Sequence, residues 1–81
     1  MYYVYFLKSE KNNDLYIGST ENVDERFKKH NAGKVRSTKV YRPWILLGQE
    51  EFATRSEAFR KEMLYKTGQQ KEILKKRYGL I

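Results

Sequence analysis

Cysteine is absent from this chain, and with it go disulfide-stapled folds and thiolate metal sites: neither a zinc ribbon nor a small secreted scaffold can be built from these residues. A reducing, cytoplasmic setting is expected. Long apolar runs are missing too. The longest are about six residues, against the roughly twenty that a membrane-spanning helix needs, and no charged segment precedes an apolar one at the start, so neither membrane insertion nor export is expected. The sequence holds no internal repeat, low-complexity tract or linker-like stretch. Its 81 residues read as one domain, 1–81, near the low end of sizes that bury a self-sufficient core.

Positive charge and aromatic rings are what the chain has in quantity. Seventeen Lys and Arg against ten Asp and Glu leave a net charge of +7, a density that favours polyanions as partners, nucleic acid first among them. A basic surface that serves only solubility fits the charge equally well. Seven Tyr, four Phe and one Trp add faces able to stack on bases, although in so small a domain most of them are expected in the core.

Met1 to Lys8 is aromatic and β-branched and reads as a strand. Ser9 to Asp14 carries turn chemistry, and Leu15 to Gly18 returns as a second strand, giving an antiparallel hairpin. Alternation places Tyr3, Tyr5 and Leu7 on one face and Tyr2, Val4 and Phe6 on the other; with both faces apolar, the first strand is expected at the centre of a sheet covered on both sides. Asn22, with Glu25 three positions on, has capping-box spacing and predicts a helix over Val23 to Ala32 that Gly33 stops. Val23 and Phe27 form its inward stripe, Arg26 and His30 its flank, and Asp24, Glu25, Lys28 and Lys29 its outer side. Lys34 to Lys39 is a basic, hydroxyl-bearing loop with room for a short helical turn. After Tyr41-Arg42-Pro43 a third strand is expected over Trp44 to Phe52, bent at Gly48. Thr54 and Glu57 repeat the capping spacing ahead of a helix from Arg55 to Thr67, ended by Gly68, whose apolar arc of Ala58, Phe59, Met63 and Tyr65 contains Glu62 while Arg60 and Lys61 point outward. A last helix over Gln69 to Arg77 packs through Ile73 and Leu74 and stops at Gly79, with Leu80-Ile81 tucking back. The fold class is therefore α+β: a small three-stranded antiparallel sheet flanked by helices, in the order β-β-α-β-α-α.

Two tyrosines on neighbouring strands, an arginine and a histidine at i and i+4, and a glutamate within another helix's apolar arc are an unusual set of polar groups for so small a core. Each has an ordinary explanation. Tyr5 or Tyr16 can be a packed ring with its hydroxyl at the rim, His30 a helix cap or surface residue, Arg26 a partner of Asp24 or Glu57, and Glu62 an i,i+4 partner of Lys66 of little energetic weight. The combination is less ordinary than its members.

Tyr3-Val4-Tyr5, ten residues, Tyr16-Ile17-Gly18, then Arg26, His30 and a downstream helix carrying Glu62 resemble the GIY-YIG nuclease domain. The likeness is nearest to small stand-alone bacterial members, which share a stretch like His30-Asn31-Ala32-Gly33-Lys34 and an Arg-Pro such as Arg42-Pro43, and it covers Tyr2 to about Lys66. It implies an endonuclease that cuts DNA phosphodiester bonds, as in homing endonucleases, some restriction enzymes and the incision subunit of bacterial excision repair. Tyr5 and Tyr16 then match the two motif tyrosines, Arg26 the family arginine, His30 a histidine found in many members, and Glu62 the glutamate that holds one divalent cation, Mg2+ or Mn2+. In that scheme a tyrosine or the histidine helps deprotonate the attacking water, the arginine braces the phosphate, and the metal offsets charge on the leaving side.

Those residue types suit the chemistry. A phosphodiester builds negative charge on its oxygens in the transition state, so a fixed guanidinium and a hard cation are what the site needs. One carboxylate suffices to anchor magnesium, which keeps several waters. Tyrosine, with an ordinary pKa near 10, needs neighbouring cations to act as phenolate. The chain departs from the family in having Tyr3 where the first motif carries glycine, in lacking any asparagine after Asn31, and in having no second DNA-binding module, so that substrate choice must come from this domain or a protein partner. The expected phosphate-binding rim is Lys28, Lys34, Arg36, Lys39, Arg42 and Arg55. The expected activity is cleavage directed by DNA structure rather than sequence, in repair or recombination, with RNA left open as a partner; the alternative is a module of the same fold that binds nucleic acid without cutting it.

Overall fold

The computed structural model describes all 81 residues, Met1–Ile81. Strands β1 (Tyr2–Ser9) and β2 (Leu15–Thr20) form a hairpin; helix α1 (Val23–Asn31), a 3-10 turn (Lys39–Tyr41), strand β3 (Trp44–Phe52) and helices α2 (Arg55–Tyr65) and α3 (Gly68–Arg77) follow. The sheet order is β2-β1-β3, antiparallel throughout, so the doubly apolar first strand is central as its pattern requires. β2 continues past Gly18 because Ser19 and Thr20 still pair with Val4 and Tyr3. The bend expected at Gly48 is a bulge: Phe6 faces Gly48 while Leu7 faces Leu46, leaving Leu47 as the extra residue.

Alternation along β1 divides the core in two. Tyr5 and Leu7 pack with Val23 and Trp44 beneath α1. Val4 and Phe6 pack on the opposite face with Leu15, Ile17, Ala58, Tyr65 and Leu74, beneath α2 and α3. Each such fully buried large side chain contributes roughly 1.5–3 kcal/mol.

Both helices that were expected to start on a cap do so: Asn22 Oδ1 accepts from Glu25 N at 3.1 Å and Thr54 Oγ1 from Glu57 N at 3.2 Å. α2 ends at Tyr65, short of Thr67, and Gly68 opens α3 rather than closing α2. The break sits at Thr67, whose extended backbone restarts the helix while its hydroxyl donates to Leu64 O at 2.8 Å. The apolar arc read for α2 is corrected as well. Phe59 and Met63 are 55% and 42% exposed, and the buried positions are Ala58, Glu62 and Tyr65, spaced by four and three. Lys61, expected outward, is half-buried with its Nζ 5.2 Å from the centre of the Tyr65 ring. On α3 Leu74 packs and Ile73 is exposed; Leu80 returns to the core and Ile81 does not. No helix is long and apolar enough to cross a membrane.

Candidate active site

α1 is the element that carries the polar groups inward. Along it Val23 and His30 are buried and Arg26 and Phe27 half-buried, the i, i+3, i+4, i+7 stripe of one helix face. Arg26 and His30 therefore lie within the stripe, not on its flank, and His30 is neither a cap nor a surface residue: it is wholly buried. The helix stops immediately after it. Gly33, at φ +76°, lets Lys34 N reach Lys29 O at 3.0 Å and Gly33 N reach His30 O at 3.2 Å, a paired closure that needs a left-handed residue at this point. Asn31 ties the end of α1 to the start of β3, its Oδ1 accepting from Trp44 N at 2.6 Å and its Nδ2 donating to Trp44 O at 3.0 Å.

His30 is bonded through both ring nitrogens. Nε2 lies 2.9 Å from the hydroxyl of Tyr5, and Nδ1 lies 2.8 Å from Oγ1 of Thr38. The Tyr16 ring meets the His30 ring edge-on at 4.9 Å between centroids and the Trp44 ring at 6.0 Å, and Tyr5 lies 6.2 Å from Tyr16. The tyrosine of each strand thus faces the histidine of α1. Burial, reinforced by the Arg26 charge, lowers the pKa of His30 to about 4, so the ring is neutral at physiological pH. Burial also raises the pKa of Tyr5 well above the ordinary tyrosine value; Tyr16 adds to that effect and the Arg26 guanidinium opposes it.

Arg26 forms no ion pair with either carboxylate expected to claim it. Glu57 accepts instead from the Thr54 hydroxyl at 3.1 Å. Arg26 lines a small groove with Thr20, Asn22, Glu25 and Lys29.

Glu62 reaches the sheet from the other face. Its Oε1 accepts from Ser19 Oγ at 2.5 Å and its Oε2 lies 2.7 Å from Lys66 Nζ, so the i,i+4 pairing with Lys66 does form. Ser19 pairs with Val4 and therefore lies on the α2 side, whereas Gly18 pairs with Tyr5 on the α1 side. The structure brings Tyr5, Tyr16, Arg26 and His30 into one cluster and attaches Glu62 one residue further along the same edge strand, on the opposite face. Beyond them the end of β2 lies between the two halves: Thr20 and Glu21 line both the Arg26 groove and a larger groove of about 670 Å³ that includes Ser19, Arg55 and Phe59.

No group of three or more His, Cys, Asp or Glu side chains gathers to hold a metal ion. Glu62 nevertheless fits one hard cation in the way magnesium is usually held, by a single carboxylate with the remaining ligands left to water and phosphate, provided that the partly exposed Lys66 swings aside.

The six rim residues, Lys28, Lys34, Arg36, Lys39, Arg42 and Arg55, are all exposed. They differ in freedom: the Arg42 guanidinium lies against Gly33 at the end of α1, where a β-carbon would collide with it, while Arg55 borders the larger groove. Sequence reasoning missed Thr38, Asn31, Trp44 and Ser19 as the groups that hold the site. Only Asn31, next to His30 in the stretch shared with small GIY-YIG proteins, carried a signal.

Comparison with known proteins agrees with this geometry. Residues 1–78 match the family described as the GIY-YIG catalytic domain. A UPF0213 protein of Staphylococcus haemolyticus is 47% identical over 75 residues, covering 91% of this chain and 90% of that protein. A UPF0213 protein of Staphylococcus saprophyticus is 39% identical over the same length. The solution NMR structure of a UPF0213 protein from Bacillus halodurans superposes with a TM-score of 0.56 at 36% identity, covering 91% of this chain and 82% of that one. With the two motif tyrosines facing one histidine and the family's domain spanning the chain almost end to end, this protein belongs to the GIY-YIG family of nucleases.

Proposed function

We propose that the protein is a metal-dependent endonuclease that hydrolyses DNA phosphodiester bonds, selecting its target by structure rather than sequence, with Mg2+ or Mn2+ as cofactor and a cytoplasmic role in repair or recombination. One observation carries the reading: the Tyr5 hydroxyl is bonded to a buried, neutral histidine, and beside the pair stands an arginine with no carboxylate partner. A buried base, a phenol to relay its pull and a free guanidinium are what water attack on a phosphodiester requires.

In this mechanism Arg26 takes the non-bridging phosphate oxygens, for which its planar pair of N–H donors is suited. Tyr5 gives its proton to His30 as its oxygen receives one from the attacking water. The water oxygen bonds to phosphorus; the bond from phosphorus to the leaving sugar oxygen breaks, its electron pair stays on that oxygen, and solvent protonates it. Arg26 also tunes the base. Its charge helps depress the His30 pKa, and a bound phosphate offsets that charge, so the histidine becomes more basic when substrate arrives. Tyr16 walls the pair from solvent through its contact with the His30 ring. Glu62 would hold the cation that GIY-YIG nucleases typically use, and that cation would supply positive charge to the phosphate as its oxygens become more negative. Lys28, Lys34, Arg36, Lys39 and Arg55 hold the flanking phosphates, while Arg42 braces the end of α1 against Gly33.

The test is turnover. Purified protein with Mg2+ or Mn2+ is expected to nick branched or single-stranded DNA, and Glu62→Gln and Arg26→Ala to lose that activity while keeping the fold. A second reading, a domain that binds nucleic acid without cutting it, draws on the fact that both Glu62 oxygens already have partners in Ser19 and Lys66. Salt-dependent binding of DNA or RNA without any cleavage across such substrates would decide for it.

A further inference from the structure

Three protons are shared along the line from Tyr5 through His30 and Thr38 to the carbonyl of Val35: one O–H on Tyr5, one N–H on the neutral imidazole and one O–H on Thr38. The contacts are Tyr5 Oη to Nε2 at 2.9 Å, Nδ1 to Thr38 Oγ1 at 2.8 Å, and Thr38 Oγ1 to Val35 O at 3.3 Å. Two orders are conceivable. If the Thr38 hydroxyl pointed at Nδ1, the ring proton would sit on Nε2 and point at the Tyr5 oxygen. Tyr5, 1% exposed, would then have to turn its O–H away from His30, its best-formed hydrogen bond, toward the neighbouring Tyr16 hydroxyl. In the other order Tyr5 donates to Nε2, Nδ1–H donates to Thr38, and Thr38 donates to Val35. Every proton then lies along one of the three contacts, with the Val35 carbonyl taking the Thr38 hydroxyl beside the Thr38 and Lys39 amides.

We propose that Thr38 is a positioning residue for His30: by accepting from Nδ1 and donating to the Val35 carbonyl, it keeps Nε2 bare and aimed at the Tyr5 hydroxyl, and so sets the direction in which the proton moves. Thr38 is well placed to do this. It is 1% exposed, its amide donates to Val35 O at 3.1 Å, and its carbonyl accepts from Trp44 Nε1 at 3.0 Å and from Tyr41 N at 3.1 Å. The threonine is thereby locked between the turn after α1 and the first residue of β3, and its hydroxyl has little choice of angle. When Tyr5 passes its proton to Nε2 the ring becomes an imidazolium, and the bond from Nδ1–H to Thr38 becomes charge-assisted. No proton enters or leaves along that bond. Its role in turnover rests on the nuclease reading above; the order of the hydrogen bonds does not.

His30 is the sole histidine of the chain, so its ring nitrogens can be assigned without ambiguity in uniformly 15N-labelled full-length protein. Long-range 1H–15N correlation at neutral pH is expected to show Nε2 as the bare, pyridine-like nitrogen and Nδ1 as the protonated one, the opposite of the preference of free histidine. Thr38→Val is expected to move the proton to Nε2 or to average the two forms, and Thr38→Ser to restore the wild-type pattern. In the nicking assay Thr38→Val should lower the turnover rate at unchanged DNA affinity, by about the 10- to 100-fold known for loss of outer hydrogen bonds to metal-ligating histidines, with rescue by serine. A wild-type ring protonated on Nε2 overturns the proposal, and so does a folded Thr38→Val that keeps Nδ1–H. Should Thr38→Val fail to fold, the wild-type spectrum alone decides. Wild type with the expected tautomer but no cleavage of any DNA overturns the nuclease reading and leaves the hydrogen-bond order standing.

Discussion

The hydroxyl of Tyr5 lies directly over the α-carbon of Gly18: a β-carbon added there would sit 2.6 Å from Oη and 2.7 Å from Cζ. Gly18 pairs with Tyr5 across the hairpin, so the missing side chain is the space that the Tyr5 phenol occupies. The glycine of the second motif is thus required by its neighbour's ring rather than by a special backbone angle.

Gly18→Ala is accordingly expected to destabilise the fold by about 1–3 kcal/mol, the usual range for overpacking a core, and to displace Tyr5 from His30. Combining it with Tyr5→Phe should recover only part of the loss, because the ring carbon collides as well as the oxygen. Thermal or urea denaturation of the two single variants and the double variant measures this directly, and a neutral Gly18→Ala would show that the ring moves freely.

Burial of His30 makes stability depend on pH in a defined direction. Its folded pKa is lowered to about 4 from the ordinary 6.5, so between those values the unfolded chain binds a proton that the folded chain refuses. Stability is fully present above about pH 6.5, falls as the pH drops toward 4, and changes no further through this group below that; the two pKa values correspond to at most about 3 kcal/mol. Urea denaturation across that window is expected to show the loss in wild type and a shallower dependence in His30→Gln. An equal slope in both would assign the effect to other groups.

The framework of this site was legible because it rests on period and punctuation. Two apolar faces on β1 require a central strand, and Asn22 and Thr54 mark helix starts by the chemistry of their side chains. The depth of His30 was not legible: its stripe on α1 contains one arginine and one histidine among four positions, and polarity alone assigns such residues to a flank. Phe59 and Met63 misled for the converse reason, since the stripe that packs on the sheet includes Glu62, which Ser19 accommodates from a strand distant in sequence. Thr38 lies in an irregular turn, where no periodicity distinguishes a buried hydroxyl from an exposed one. Contacts between elements far apart along the chain decided each of these positions.

Glu62 holds Lys66 at 2.7 Å, so under the proposed metal role a divalent cation at Glu62 would compete with that ammonium. Lys66→Gln is therefore expected to strengthen Mn2+ binding about two- to fivefold, in line with the up to about 1 kcal/mol that a partly exposed ion pair is worth, whereas Glu62→Gln should abolish it. Titration calorimetry with Mn2+ on the unliganded protein tests both. Unchanged Mn2+ affinity in Glu62→Gln would move the metal away from this carboxylate and take the proposed cofactor role with it.

The six rim cations are not equivalent, and Arg42 separates them. Lys28, Lys34, Arg36, Lys39 and Arg55 are exposed, and each one that touches a DNA phosphate should, when changed to alanine, reduce the slope of log affinity against log salt by about 1 without altering stability. The Arg42 guanidinium instead rests on Gly33, beside the carbonyl end of α1, where a cation is worth about 0.3–1 kcal/mol to the helix. Arg42→Ala is expected to lower stability by that amount and to loosen the closure that sets His30, so its effect on nicking should exceed its effect on DNA binding. Lys39→Ala serves as the contrast, with weaker binding and an unchanged melting temperature. If Arg42→Ala behaves as Lys39→Ala does, the guanidinium is a phosphate ligand in solution and its contact with the end of α1 carries no weight.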